Sequence, residues 1–216
     1  MSFKEKVKEF FENISSKISN LSKQGSAIQH VIDINNRYIE SELKLTQDLQ
    51  DGFIALKNYA DTESYELENA ISTLKLTFKS IESLRQEKVE KLRENIITPL
   101  QEISEGYNTL NFKLKELEKA KRAWEKAKRN FEKKKKTPNP IDIEESQFLL
   151  KEAQTEYDTL EEEVAKMTEK FNQEKIDKLY SILKNRVEIE KTFLKKSLEK
   201  IETVSSESED IKGILV

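Results

Sequence analysis

Apolar residues recur along almost the whole chain at steps of three and four, the period of an α-helix with one covered face. The first run reads Phe3, Val7, Phe10, Phe11, Ile14, Ile18 and Leu21, then Ile28, Val31, Ile34, Tyr38, Leu45, Leu49, Phe53 and Leu56. It predicts a helix to about Lys57, with Gly25 and Gly52 as weak points and Gly25 as a division before the main helix. Asp61 or Thr62 is the expected N-cap of the second run. That run holds Leu67, Ile71, Leu74, Phe78, Ile81, Leu84, Val89, Leu92, Ile96, Leu100, Ile103, Tyr107, Leu110, Leu114, Leu117, Trp124, Ala127 and Phe131. Thr137-Pro138-Asn139-Pro140 ends it, because the residue before a proline is pushed out of the α region. The third run starts near Asp142 with Leu150, Ala153, Tyr157, Leu160, Val164, Met167 and Phe171. It resumes with Ile176, Leu179, Leu183, Val187, Leu194, Leu198 and Ile201, interrupted by Glu190 and Lys191 beside Ile189 and Phe193.

Length decides the architecture. At 1.5 Å per residue the second run spans about 105 Å, whereas a compact globule of this size has a radius of gyration of about 17 Å. The helices must therefore lie side by side as a rod. The first helix is too short to cover the second, which leaves apolar surface for a second copy of the chain. The expectation is an all-α fold of three long kinked helices in an antiparallel coiled-coil bundle that homodimerises. Pro99 lies inside the second helix, where it removes a hydrogen bond and clashes with the preceding turn. Because the apolar stripe passes through it unbroken, Pro99 reads as a helix kink; a full break giving four helices is the competing reading.

Composition narrows this further. Only 4 Gly and 3 Pro in 216 residues leave few turns, which excludes a β-rich fold. With 37% charged and 36% hydrophobic residues the chain has the balance of long helices. There is no Cys, so disulfides, thiolate metal sites and thiol nucleophiles are excluded together. No stretch reaches the roughly 20 apolar residues that span a bilayer, and no signal peptide is evident. His30 is the one histidine and has no constellation around it; no Gly-rich phosphate loop occurs. Pairs such as Glu144 and Glu145 have no pocket to serve, and Trp124 reads as packing. Neither an enzyme nor a cofactor or metal is expected. Ser205–Asp210 reads as an acidic linker, and the ending Ile214-Leu215-Val216 as the edge of a longer protein.

Charge is unevenly placed. Lys113–Lys136 contains twelve Lys/Arg and four acids, a net of +8 within a chain of net −3, so the remainder carries −11. In an antiparallel hairpin this stretch is the distal tip. The candidate membrane-binding residues are Lys119, Lys121, Arg122, Lys126, Lys128, Arg129, Lys133, Lys134, Lys135 and Lys136. A cationic tip suits an anionic leaflet; the competing reading is a solvated face neutralised by Glu152, Glu156, Glu161, Glu162 and Glu163 across the hairpin. Without a series of aromatics for base stacking, nucleic acid is not an expected partner. Phe3, Val7, Phe10 and Phe11, with Lys4, Lys6 and Lys8 among them, form a candidate membrane-inserting helix, or simply the first turns of the bundle.

Asn95-Ile-Ile-Thr-Pro-Leu100 inside a long helix, the basic run and short loop after it, and Ala153, Tyr157, Phe171 and Phe193 beyond resemble the BAR domain superfamily, in particular BAR domains of GTPase-activating and adaptor proteins. The resemblance covers about residues 17–204, between an N-terminal segment 1–16 and an acidic tail 205–216. It implies a crescent-shaped antiparallel homodimer with a six-helix centre. Such a dimer would hold anionic, phosphoinositide-bearing membranes at its tips and concave face and sense or impose curvature in endocytosis and trafficking. It also implies a cytoplasmic, peripheral location and, in some relatives, links to the cytoskeleton or binding of a small GTPase. The acidic start of the third helix departs from the pattern and weakens the expected membrane contact. A coiled-coil scaffold for a small GTPase or another protein is the alternative.

Overall fold

The computed structural model describes the backbone of residues 3–62, 65–136 and 139–214, and side chains within 16–203. Four helices follow one another: α1 (Phe3–Ala60), α2 (Tyr65–Leu92), α3 (Thr98–Lys134) and α4 (Pro140–Ile214). A five-residue π turn, Arg93–Ile97, joins α2 to α3 without a loop. The second predicted helix is thus α2, the π turn and α3 in sequence. Gly25 does not divide α1, which runs through it. Asp61 and Thr62 close α1 instead of capping α2: the Thr62 hydroxyl donates to the Tyr59 carbonyl at 2.7 Å, and the Asp61 N–H to Lys57 at 3.0 Å. The backbone of α4 continues across the acidic 205–210 segment to Ile214.

The π turn is the structural answer to Pro99. A proline has no N–H and its ring collides with the carbonyl four residues back. Here the helix widens just before it: the Thr98 N–H bonds to the Arg93 carbonyl, five residues away, and the Thr98 hydroxyl reaches the same oxygen at 3.1 Å. Asn95 Nδ2 donates to the Lys91 carbonyl at 3.1 Å. One extra residue is absorbed, and the apolar spacing shows it. Leu92, Ile96 and Leu100 follow at two steps of four, where a regular heptad would alternate four and three. All three side chains stay buried, so the stripe passes from α2 into α3 in register.

The chain forms two compact units, one of residues 1–29 with 102–178 and one of 30–101 with 179–216. In the first, Leu114, Leu117, Ala120, Tyr157 and Val164 form a core against which Ile18, Leu21, Trp124 and Leu160 pack. Three helices thus contribute to one apolar seam, as the sequence stripes predict. In the second, the core is built on Ile32 and Ile39 of α1, Val89, Leu92, Ile96 and Leu100 of the second helix, and Ile182 and Ile189 of α4.

That second core corrects the sequence stripes of α1 and α4. Val31, Ile34, Leu45 and Leu56 are exposed, and the inward positions are Ile32, Ile39, Thr46 and Ala60, at multiples of seven. On α4, Leu183, Val187, Leu194, Leu198 and Ile201 are exposed. Ile182, Ile189 and Ser197 are buried instead, with Phe193 half-buried. The physical reason is that the inward face of α4 carries charge in specific pairs. Lys88, nearly buried, bonds to Glu42 Oε1 and Glu190 Oε2, each at 2.8 Å, and to the Tyr38 hydroxyl at 2.6 Å. The Tyr38 hydroxyl donates to Glu190 at 3.0 Å, and the Arg186 guanidinium lies 4.3 Å from the Tyr38 ring centroid. Glu190, which interrupts the apolar pattern, is therefore an inward hub. The expectation that the second helix would be left bare is also corrected, since Leu92, Leu100, Ile103 and Leu110 are almost wholly buried within the chain. Apart from Leu76 and Phe112 on the second helix, the bare apolar surface of the described residues lies on α1 and α4.

Candidate functional site

The cations of α3 are arranged by helical geometry into a line. Lys115, Lys119, Arg122, Lys126, Arg129 and Lys133 follow at alternating steps of four and three, Lys136 continues the spacing in the turn just past the helix, and all seven are exposed. Residues at such spacing share one helix face. The line is about 30 Å long at 1.5 Å per residue. The opposite face carries Leu110, Leu114, Leu117 and Ala120, buried in the core, so burial of one face fixes the other outward. The sequence reading identified the density of charge but not this line; the signal was the three-four spacing of the cations themselves, masked by Lys121, Lys128, Lys134 and Lys135 lying among them.

Those four occupy different surroundings. Lys121 stands 5.7 Å from the Trp124 ring centroid and 5.0 Å from that of Tyr157, and burial pulls its pKa down. Lys128 approaches Trp124 at 5.5 Å and Lys135 approaches Phe131 at 4.6 Å. Trp124 and Tyr157 are stacked, with centroids 5.3 Å apart and planes 7° from parallel. Trp124 therefore holds α3 to α4 and shapes the root of the cationic face. Lys134 Nζ meets Asp142 Oδ2 at 2.7 Å, fastening the end of α3 to the first turn of α4. Within the line, Arg122 also pairs with Glu118 one turn back.

Of the acids expected to neutralise the tip, Glu163 pairs with a cation of that stretch and two others bond elsewhere. Glu163 meets Lys113 at 3.1 Å, Glu162 meets Lys166 at 2.6 Å, and Glu161 accepts the Tyr157 hydroxyl at 2.6 Å. Burial and that carboxylate push the Tyr157 phenol up. The side chains of Phe3, Val7, Phe10 and Phe11 lie outside those described; their backbone belongs to α1. Pro99 lies in the first turn of α3, apart from the cations. His30 is exposed. Among the described residues there is no group of acidic, His or Cys side chains able to hold a metal, and no helix long and apolar enough to cross a membrane.

No family model matches the sequence, and no curated protein does. The fold does have known counterparts. The amphiphysin BAR domain from Drosophila superposes with a TM-score of 0.78, at 14% identity, over 94% of this chain and 93% of that one. The N-terminal I-BAR domain of D. discoideum IBARa gives a TM-score of 0.47 at 17% identity, over 94% and 96% of the two chains. The Hof1p F-BAR domain gives 0.32 at 13%, over 96% and 83%. The first of these is a superposition over nearly the full length of both proteins, and it establishes the architecture: the chain has the fold of a BAR domain.

Proposed function

We propose that this chain is a non-catalytic membrane-binding module that acts as a homodimer, holding anionic lipid and sensing or imposing curvature. The observation that carries the reading is the line of seven exposed cations, six on α3 and Lys136 in the turn after it. Each Lys or Arg close to an acidic leaflet is worth roughly 1 kcal/mol, so a line of them lying along a surface gives substantial binding without any pocket. Lys121, Lys128, Lys134 and Lys135 flank the line and add to the local potential. The likeness in fold to the amphiphysin BAR domain supports the same reading.

The homodimer is supported by the apolar faces of the second unit. On α4, Tyr180, Leu183, Val187, Leu194, Leu198 and Ile201 are all more than half exposed; on α1, Val31, Ile34 and Leu45 are exposed too. An exposed apolar face of this length on a charged protein marks an interaction surface. A second copy brings the same face, and a dimer carries two cationic lines. In this reading the N-terminal face of Phe3, Val7, Phe10 and Phe11 contributes a shallow amphipathic contact, and the protein is peripheral on the cytoplasmic side.

Co-sedimentation with vesicles of phosphatidylcholine and phosphatidylserine, with and without phosphoinositide, tests the proposal. Binding is expected at low salt and falls as salt rises, because exposed charges are screened beyond about 10 Å at 0.1 M. Reversing Lys126, Arg129, Lys133 and Lys136 to Glu abolishes it. Absence of binding at low salt overturns the membrane reading. Capture of a small GTPase unaffected by these reversals would favour the scaffold alternative.

A further inference from the structure

We propose that the end of the bundle where α3 meets α4 carries an apolar wedge, Ile141 with Phe148 two turns behind it, which enters the lipid interface while the α3 cations hold the headgroups. This rests on the membrane reading above and adds to it an apolar contact at the tip. Ile141 is 75% exposed and Phe148 62%, among the larger exposures of any apolar side chain described. Seven residues apart, they stand on one face of α4.

The exposure of Ile141 is fixed by its backbone. Asn139 caps α4: its side-chain oxygen accepts the Ile141 N–H at 3.3 Å, and its carbonyl accepts the Ile143 N–H at 3.3 Å. Pro140 follows as the first helical residue, where its missing N–H costs nothing and its φ suits the helix. The Lys134–Asp142 pair at 2.7 Å then fastens the next residue to α3. The isoleucine is therefore held out in water by a cap, a proline and an ion pair, and nothing in this arrangement turns it inward.

The surroundings select the occupant. Lys133, Lys135 and Lys136 are exposed at the end of α3, immediately before this cap. A branched alkyl group close in the chain to exposed ammonium groups matches an interface that is anionic outside and apolar beneath, which is the order met on entering an acidic leaflet. Glu144 and Glu145, both exposed between Ile141 and Phe148, keep the penetration at the headgroup–acyl boundary. The cations supply long-range, salt-sensitive attraction; the wedge supplies short-range attraction that salt does not screen.

The chain has no cysteine, so Ile141→Cys, Phe148→Cys and a control Gln173→Cys each accept one environment-sensitive fluorophore on the full chain. With phosphatidylcholine–phosphatidylserine vesicles, the label at 141 is expected to shift to the blue and to be quenched by lipids brominated near the top of the acyl chain. The label at 148 follows more weakly, and the control is unchanged. In unlabelled protein, Ile141→Ser is expected to weaken binding by roughly tenfold, a loss read most clearly at about 0.5 M salt, where the electrostatic attraction is screened. Sedimentation with vesicles but no quenching at 141 overturns the wedge and leaves the electrostatic reading standing. No sedimentation at low salt overturns both.

Discussion

Gly106 and Phe171 occupy the same space: a Cβ on Gly106 would lie 2.2 Å from Cε2 of Phe171 and 2.6 Å from Cδ2. The missing side chain lets the ring press onto α3, where it meets Tyr107 edge-on with centroids 5.0 Å apart at 75°. Lys175 Nζ stands 5.6 Å from both ring centroids. Alanine is favoured over glycine in a helix by about 1 kcal/mol, but overpacking costs typically 1–3 kcal/mol. Gly106→Ala is therefore expected to lower stability by about 1–2 kcal/mol in thermal or urea unfolding. Combined with Phe171→Leu the same alanine should be neutral or stabilising. An additive double variant would show that the two residues do not share the space.

Lys88 is the hub on which α1, the second helix and α4 agree in the second unit. Its ammonium sits between Glu42 and Glu190 at 2.8 Å each, with Arg85 Nε 3.0 Å from Glu42 Oε2. Burial alone pushes the Glu42 carboxyl up and the Lys88 ammonium down, but their mutual hydrogen bonds outweigh it: Glu42 ends below its ordinary value and Lys88 above. Burial also pushes the Tyr38 phenol up to about 12. A lowered carboxylate contributes stability above its unfolded pKa, lost as pH falls through the folded one. A raised ammonium contributes below its unfolded pKa, lost as pH rises through the folded one. The network is thus at full strength between about pH 4.3 and 10.4.

Lys88→Ala leaves Glu42 with Arg85, and Glu190 with Arg186 and the Tyr38 hydroxyl, and is expected to cost about 2–3 kcal/mol at pH 7. Lys88→Met, which fills the space of the alkyl chain and keeps Glu42 for Arg85 and Glu190 for Arg186, should recover the packing share of that loss. Urea unfolding of the two variants side by side separates a lost charge pair from lost packing.

The exposed face of α4 gives a prediction about assembly. Leu183→Glu with Leu194→Glu places two carboxylates on a face that is apolar and, in the proposed dimer, covered. Light scattering should give half the wild-type mass, with far-ultraviolet helicity largely kept in the first unit. The wild-type melting temperature should rise with protein concentration, and that of the variant should not. A variant that remains dimeric would place the interface elsewhere.

Much of this was legible in the sequence, and what was not has a definite cause. The three-four spacing gave the helices, the Thr137–Pro140 stop and the buried positions from Val89 to Leu117, because a fully covered stripe has one reading. In α1 and α4 two stripes run side by side, and spacing cannot say which is covered from within the chain. Glu190 looked like a gap in an apolar face when it is the partner of Lys88, about a hundred positions earlier in the chain, a pairing that spacing within one helix cannot reveal. The π turn was present as two successive steps of four at Leu92, Ile96 and Leu100. The cationic line was hidden for a simpler reason: counting charge in a window discards its direction.

Glu125 supplies a last prediction, of opposite sign to Glu42. It is buried at the root of the cationic face, among Lys121, Arg122, Lys128 and Arg129, yet its Oε1 has no hydrogen-bond partner among the described residues. Burial pushes its carboxyl up; the surrounding cations pull it down and do not fully compensate. A carboxyl with a raised folded pKa favours the fold while protonated, and that contribution is lost as pH rises through the folded value. At pH 7 the charge is therefore a burden on the first unit. Glu125→Gln removes the charge at nearly constant shape and is expected to raise the melting temperature by a few degrees at pH 7, with little change near pH 4. Because it also deletes a negative charge beneath the α3 line, vesicle binding at low salt should hold or strengthen. A lower melting temperature at pH 7 would mean that the cations around Glu125 depend on its charge, and that the site is a salt bridge network and not an uncompensated acid.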